Sequence, residues 1–247
     1  MKRASKRPKS KPKRRKRAAT RRRGLMFVLS SPSGAGKTTL TRLLLDRIPR
    51  MRLSISATTR PRRRSEVESV HYYFVDPKRF SAMRRAGELM EWARVHGNYY
   101  GTPKVPIERA LKAGTDMLFD IDWQGALQLY RKARPDVISI FILPPSIDEL
   151  RKRLARRAED DLKTIRKRLA NALEEIGHWK EYDYVLVNKD LNRSYSDLRA
   201  IVAAERTRRE PKSRTVHMRK EIQAAQRLKR TRQPRLRAFV RSLQEDL

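Results

Sequence analysis

Residues 25–45, LMFVLSSPSGAGKTTLTRLLL, set an apolar run against a loop of small residues, followed by a lysine, two threonines and a leucine-rich segment. Residue types in this order can hold a polyphosphate. A strand that turns tightly into a helix leaves the first helical N–H groups unpaired, and the helix dipole favours an anion beside them. Gly34 and Gly36 admit the positive φ angles that such a loop needs and keep side chains clear of the phosphate. Lys37 is expected to reach the β- and γ-phosphates, and the Thr38 hydroxyl to ligate Mg2+. The pattern is G-x-x-x-x-G-K-[ST], a P-loop, with Ser31 in place of the usual first glycine. A generic glycine turn at a helix start is the bland alternative, and the strand before and helix after weigh against it. Ser31, Pro32, Ser33, Gly34, Ala35, Gly36, Lys37, Thr38 and Thr39 are the candidate triphosphate-binding residues.

Such a loop needs a scaffold. Short β-branched and aromatic runs, 25-LMFVLS, 117-MLFDID, 137-VISIFIL and 184-YVLVN, alternate with helical patterns over 38–48, 107–113, 124–133, 146–157, 160–179 and 194–209. Continuous apolar strands separated by helices predict an α/β fold of three layers around a parallel central sheet. The stretch 52–102 breaks that rhythm with arginines, tyrosines and short alternating pieces such as 70-VHYYFV, and reads as an inserted lobe carrying a binding site.

Composition bounds the rest. The 247 residues suffice for one domain with appendages, and a net charge of +34 points to polyanionic partners. Residues 1–23 hold 14 Lys/Arg and no acid, and residues 206–247 hold 14 Lys/Arg against 4 acids. The first segment has almost nothing apolar to bury and is expected to be a disordered basic arm. It lacks the apolar face of a transit peptide and the apolar core of a secretory signal. The C-terminal segment is expected to be a basic helical extension broken at Pro234, with Phe239, Val240 and Leu243 docking on the body. No apolar run approaches a membrane span, so a soluble protein is expected. There is no cysteine, which excludes disulfides and thiolate chemistry, and none of the four histidines has a metal-site or triad setting.

The stretches 56-SATTRPRRRSEVESVHYYF, 91-EWARVHGNYYGT, 120-DIDWQG, 141-FILPPS and 183-DYVLVN, in this order after the P-loop, closely resemble guanylate kinase over about residues 24–205. The resemblance implies a P-loop kinase fold with a GMP-binding lobe at about 52–102 and a helical lid at about 150–170. The implied activity is cytoplasmic phosphoryl transfer from Mg2+-bound ATP to GMP in purine metabolism. The chemistry of the residues agrees. Arg60, Arg63, Tyr72 and Tyr100 supply forked guanidinium donors and phenol hydroxyls suited to a monophosphate. By resemblance Ser56 joins them, and Glu91 and Thr102 face the base. A carboxylate at Glu91 can accept from guanine N1–H and the 2-amino group together, a donor pair that adenine lacks. Asp120 ends an apolar strand and fits the acid that anchors Mg2+ through water. Asp122 fits a GMP-side contact or, nearly as well, a strand-end cap. Family matching picks Arg157 and Arg168 as lid arginines reaching the transferred phosphoryl group, most of the other basic residues there being read as solvated helix face. It places Asn188 near the adenine.

Several positions depart from the family pattern. Ser65 and Ser69 replace glycines, Pro61 sits one place early, Ala158 replaces a lid glycine, and Leu162 and Lys163 replace a frequent Glu-Glu. None removes a phosphate-contacting side chain. Two other classes stand beside the kinase: a non-catalytic guanylate-kinase-like binding module, which would have no use for Lys37, Thr38 and Arg157, and a nucleic-acid-associated protein acting through its basic arms. Those arms are expected to meet polyanions non-specifically. Nothing in the residues fixes an oligomeric state.

Overall fold

In the computed structural model, which describes residues 22–95, 97–157, 162–209 and 219–245, β1 (Met26–Ser30) feeds α1 (Lys37–Arg47), and β2 (Met51–Leu53) follows. Next come β3 (Ala57–Thr58), β4 (Tyr73–Phe74), α2 (Pro77–Arg85), β5 (Leu89–Val95) and β6 (Asn98–Pro103). Then α3 (Lys104–Lys112), β7 (Asp116–Asp120), α4 (Trp123–Ala133) and β8 (Val137–Leu143) lead to α5 (Ile147–Arg157) and α6 (Leu162–Gly177). The described chain ends with β9 (Tyr184–Val187), α7 (Leu191–Arg208), α8 (Arg219–Leu228) and α9 (Leu236–Glu245).

The central strands β1 and β8 are buried along their whole length because helices cover both faces of the sheet. The sheet has the order β2-β7-β1-β8-β9 and every pairing in it is parallel. Alternate residues of β8 divide between two cores: Val137, Phe141 and Leu143 point to one, and Ile138, Ile140 and Ile142 to the other. Helices α4, α5, α6 and α9 cover the first face; α1, α7 and α8 cover the second. This is the three-layer α/β architecture expected from the strand and helix alternation.

A second sheet, order β4-β3-β6-β5, belongs to the stretch that breaks the alternation. The inserted stretch starts later than the expected residue 52, since Met51–Leu53 pairs with Asp116–Leu118 in the central sheet. A three-residue strand with an arginine at its centre carries no readable alternation; its pairing partner identifies it. Helix α2 was also unanticipated, although Asp76 caps it by accepting from Arg79 N–H at 2.7 Å and Pro77 opens it. The lobe meets the core along α4, where Gln128 Nε2 donates to Trp92 O (2.6 Å) and Lys132 Nζ to Met90 O (3.2 Å).

The C-terminal segment crosses the free edge of β9. Helix α8 buries Ala225 against α7 on one face, and α9 buries Leu236, Val240 and Leu243, with Phe239 partly covered, on the other. Between them, Arg230 N–H donates to Asp183 O (3.0 Å) and Gln233 Nε2 to Val185 O (2.8 Å), so edge groups that would otherwise face solvent are paired.

Residues 1–21 lie outside the described residues, but Arg22 and Arg23, expected in the disordered arm, are docked. Arg22 grips Asp116 through two hydrogen bonds of 2.7 and 2.8 Å, and Arg23 pairs with Glu108 and Asp136, each at 2.8 Å. Asp116 is fully buried and also accepts from Leu25 N–H (2.7 Å) and Arg206 Nε (2.6 Å). Burial pushes its carboxyl up, but the Arg22 guanidinium, the Leu25 amide and Arg206 outweigh that and hold it below the usual aspartate range. Its stabilisation is therefore present above the ordinary aspartate value and is lost as pH falls through the depressed folded one. Asp116→Asn should cost about 3 kcal/mol at neutral pH, because it strands two arginines in a largely desolvated site. Denaturation midpoints at pH 7 and in acid check this: the gap between wild type and variant should close as Asp116 is protonated.

Candidate active site

The P-loop joins β1 to α1 at the carboxyl end of the sheet. Gly34 and Gly36 take φ of +86° and +98°, as their positions require. Gly36 caps α1 without any side-chain hydrogen bond, so the first-turn amides face outward unclaimed. Asn188, just past β9, is buried, and its Nδ2 donates to Ala35 O at 2.8 Å. A Cβ on Gly36 would come within 2.4 Å of that nitrogen, so the glycine is needed for close approach as well as for its φ. Arg153 of α5 also reaches Ala35 O, at 3.4 Å, so this lid-side arginine is not all solvated helix face.

A cavity of about 330 Å3 gathers most of the candidate residues: Ser31, Pro32, Ser33, Gly34, Gly36, Lys37 and Thr38 from the loop, Ser56, Tyr72, Glu91 and Tyr100 from the lobe, and Asp120 and Asp122 from the end of β7. Thr39 and Asn188 line an adjoining cavity of about 310 Å3 on the other side of the loop. A larger cavity, about 570 Å3, surrounds Tyr184 and Glu205 at the opposite end of β9 and contains no candidate residue. Volume alone would select the wrong one; convergent chemistry selects the first.

Within the first cavity Lys37 Nζ donates to Asp120. Asp122 accepts from Gly125 N–H (2.9 Å) and caps α4, so the capping alternative describes a contact it makes while it also lines the cavity. Arg60 lies against the rings of Tyr72 and Phe74, 5.5 and 5.8 Å from their centroids, and is held by Glu66 at 2.6 Å. The Arg60 hydrogen bond keeps the Glu66 carboxyl below its ordinary value. Glu66 also accepts from Arg63 N–H (2.8 Å), which leaves the exposed Arg63 side chain beside the loop. Ser69, where the family has glycine, sits at φ +61°. Arg168 is half-buried on α6, and Arg157 ends α5 with its side chain outside the described residues, as are residues 158–161 of the expected lid.

Glu91 is 3% exposed on β5. Its Oε1 accepts from the fully buried Thr102 hydroxyl at 2.6 Å, and that oxygen lies 3.2 Å from Ser56 Oγ. A Cβ on Gly125 would stand 2.7 Å from Glu91 Oε2, so the glycine of 122-DWQG makes room for the carboxylate. Burial pushes the Glu91 carboxyl up to about 7, against the opposing Thr102 hydrogen bond. Two functional neighbours escaped the sequence reading. One is Glu66, readable only as one acid in a basic run. The other is Glu175 of α6, which lines the cavity from the far side.

The raised Glu91 value has a sign. Its contribution to fold stability is present below the unfolded value and is lost as pH rises through about 7. Glu91→Gln should therefore stabilise the free protein above pH 7, by on the order of 3 kcal/mol, and change little near pH 4. Carboxyl 13C NMR should show Glu91 titrating near neutrality in the wild type. In Thr102→Val it should titrate higher still.

The family model for guanylate kinase matches residues 23–205. The chain is 59% identical to guanylate kinase of Bradyrhizobium diazoefficiens over 189 residues, covering 76% of this chain and 86% of that one. It is 51% identical to guanylate kinase of Nitrobacter winogradskyi over 226 residues, covering 92% and 94%. A crystal structure of guanylate kinase from Anaplasma phagocytophilum superposes with a TM-score of 0.63 at 37% identity, covering 81% of this chain and 93% of that one. A loop of P-loop pattern and a buried carboxylate facing one cavity agree with these likenesses, and the chain belongs to the guanylate kinase family.

Proposed function

We propose that this protein transfers the terminal phosphoryl group of ATP to GMP or dGMP, giving ADP and GDP or dGDP. The observation that carries the reading is the desolvated Glu91–Thr102–Ser56 row opening on the same cavity as Lys37. A carboxylate there takes two guanine donors at once beside its Thr102 partner; adenine brings no such donor pair and would leave the buried carboxylate short of donors.

A GMP phosphate oxygen attacks the terminal phosphorus in line, and the bond to the ADP oxygen breaks; no covalent protein intermediate is needed. Arg60, Arg63, Tyr72 and Tyr100 hold the acceptor phosphate, which requires Arg60 to exchange Glu66 for substrate. Lys37 leaves Asp120 for the donor phosphates. Arg157 and Arg168 stabilise charge on the moving group. The Thr38 hydroxyl and the Asp120 carboxylate, hard oxygens in one cavity, suit Mg2+, which takes one or two protein ligands alongside substrate phosphates and water. A bound Mg2+ would supply charge neutralisation to the phosphates. Ser31 to Thr39 cradle the ATP phosphates, and Asn188 braces that cradle beside the adenine. Glu91, Thr102, Ser56 and Asp122 make up the GMP side. The reading includes a cytoplasmic location, where both nucleotides are available, and non-specific polyanion contact through the basic termini.

Coupled assays with ATP and each monophosphate test it. GMP and dGMP should be phosphorylated well ahead of AMP, CMP and UMP, and Glu91→Gln should erode that preference. Lys37→Ala should lower kcat by about 10²–10³ without unfolding the protein. Equal turnover of AMP and GMP by the wild type would sink the assignment.

The docking of Arg22 and Arg23 sets where the arm can be cut. Deleting residues 1–21 removes twelve basic residues and no acid. Kinetic constants should hold while RNA binding weakens, with a shallower salt dependence. Steady-state kinetics and RNA titrations at two salt concentrations are the check; a large loss of kcat with RNA binding intact would assign the arm to catalysis.

A further inference from the structure

Glu175 is the only acid on α6 whose carboxylate enters the cavity among the described residues. It is half-buried, and its Oε2 accepts from the backbone N–H of Ser33 at 3.0 Å. Ser33 belongs to the loop that offers its amides to phosphate, and an amide held by a carboxylate oxygen is receptive to an anion. Burial raises the Glu175 carboxyl above its ordinary value; the Ser33 amide and Lys37 pull it back towards the charged form, while Asp122 and Glu174 oppose them. The carboxylate thus sits among the groups that a triphosphate would use. It bridges 142 residues of sequence, from the P-loop to the helix that carries Arg168.

We propose that Glu175 is a positioning residue that latches α6 onto the P-loop and is displaced by the incoming triphosphate. ATP arrival and release of the lid helix then become one event. The proposal rests on the reading of the loop as an ATP site and adds a competitor for it. The single Ser33 N–H cannot serve the carboxylate and a phosphate oxygen at once. Before phosphate settles, the carboxylate must swing away and α6, which carries it, is freed to bring Arg168 to the nucleotide.

A latch of this kind weakens ATP binding, and so it differs from a brace that holds the loop in shape. Removing its charge should tighten ATP. Isothermal titration of Mg2+–ATP without GMP should give a Kd about five- to tenfold lower for Glu175→Gln than for wild type, as expected for one nearby like charge removed. Glu175→Ala should tighten ATP at least as much, and the GMP Kd should hold in both. Because the chain has no cysteine, Arg42→Cys and Glu174→Cys give two unique exposed labelling sites, on α1 and α6. Spin-label distances between them should change when ATP is added to this otherwise wild-type pair. With Glu175→Ala added, the distances without ATP should already resemble the bound distribution. Unchanged or weaker ATP binding in both Glu175 variants would overturn the latch and leave the kinase reading standing. No ATP binding by the wild type would remove both.

Discussion

A loop that offers bare backbone amides to a polyphosphate cannot stabilise itself, because the groups that would pair those amides are the ones the ligand must replace. The rest of this structure answers that constraint by fixing the P-loop from behind. Asn188 and Arg153 both reach Ala35 O, and Leu150 and Leu154 of α5 lie within 3.3 Å of where a Gly34 side chain would begin. The loop's rigid side therefore faces β9 and α5, and its open side faces the cavity. Placing the loop at the carboxyl end of a parallel strand buried on both faces puts it where α/β sheets bind their ligands.

The acceptor side uses the opposite strategy. The phosphate loop keeps polar groups exposed, whereas the lobe buries one. Glu91 is withdrawn from water, and that burial lifts its carboxyl to about 7 against the hydrogen bonding from Thr102. An acid so poised gains from any ligand bringing two more donors, and discriminates against one that does not. The same desolvation costs stability in the free protein above neutral pH, a trade often found where a site is built for its ligand. Glu66 and Asp120 show a milder version, holding Arg60 and Lys37 in ion pairs.

Charge is handled differently at the chain's ends. The basic termini would repel one another and the body unless some cations were neutralised, and the three buried or half-buried acids Asp116, Glu108 and Asp136 do this for Arg22, Arg23 and Arg206. The C-terminal segment is secured by apolar contacts on both faces of the sheet and by pairing along the β9 edge. Residues outside the family match at both ends are thereby built into the same scaffold as the catalytic core.

Features written in contiguous residues could be read directly. The P-loop is eight neighbours between a strand and a helix, so its backbone geometry, glycine requirement and ligand class follow from local chemistry. The alternation of apolar strands with helices settled the three-layer fold, because each period reports the environment of its own segment. Contacts between distant residues could not be read. Asn188 holding Ala35, Glu175 holding Ser33 and Arg22 holding Asp116 join positions 153, 142 and 94 residues apart. The ionisation of Glu91 belongs to this class too: a glutamate in EWARV looks ordinary until folding places it beside Thr102 and Gly125, away from water. Strand β2 fails for the same reason, since three residues acquire their identity from β7 alone. Local patterns encode what a segment can be. Its charge state, its partners and the groups it must release to bind a ligand depend on what the rest of the chain places around it.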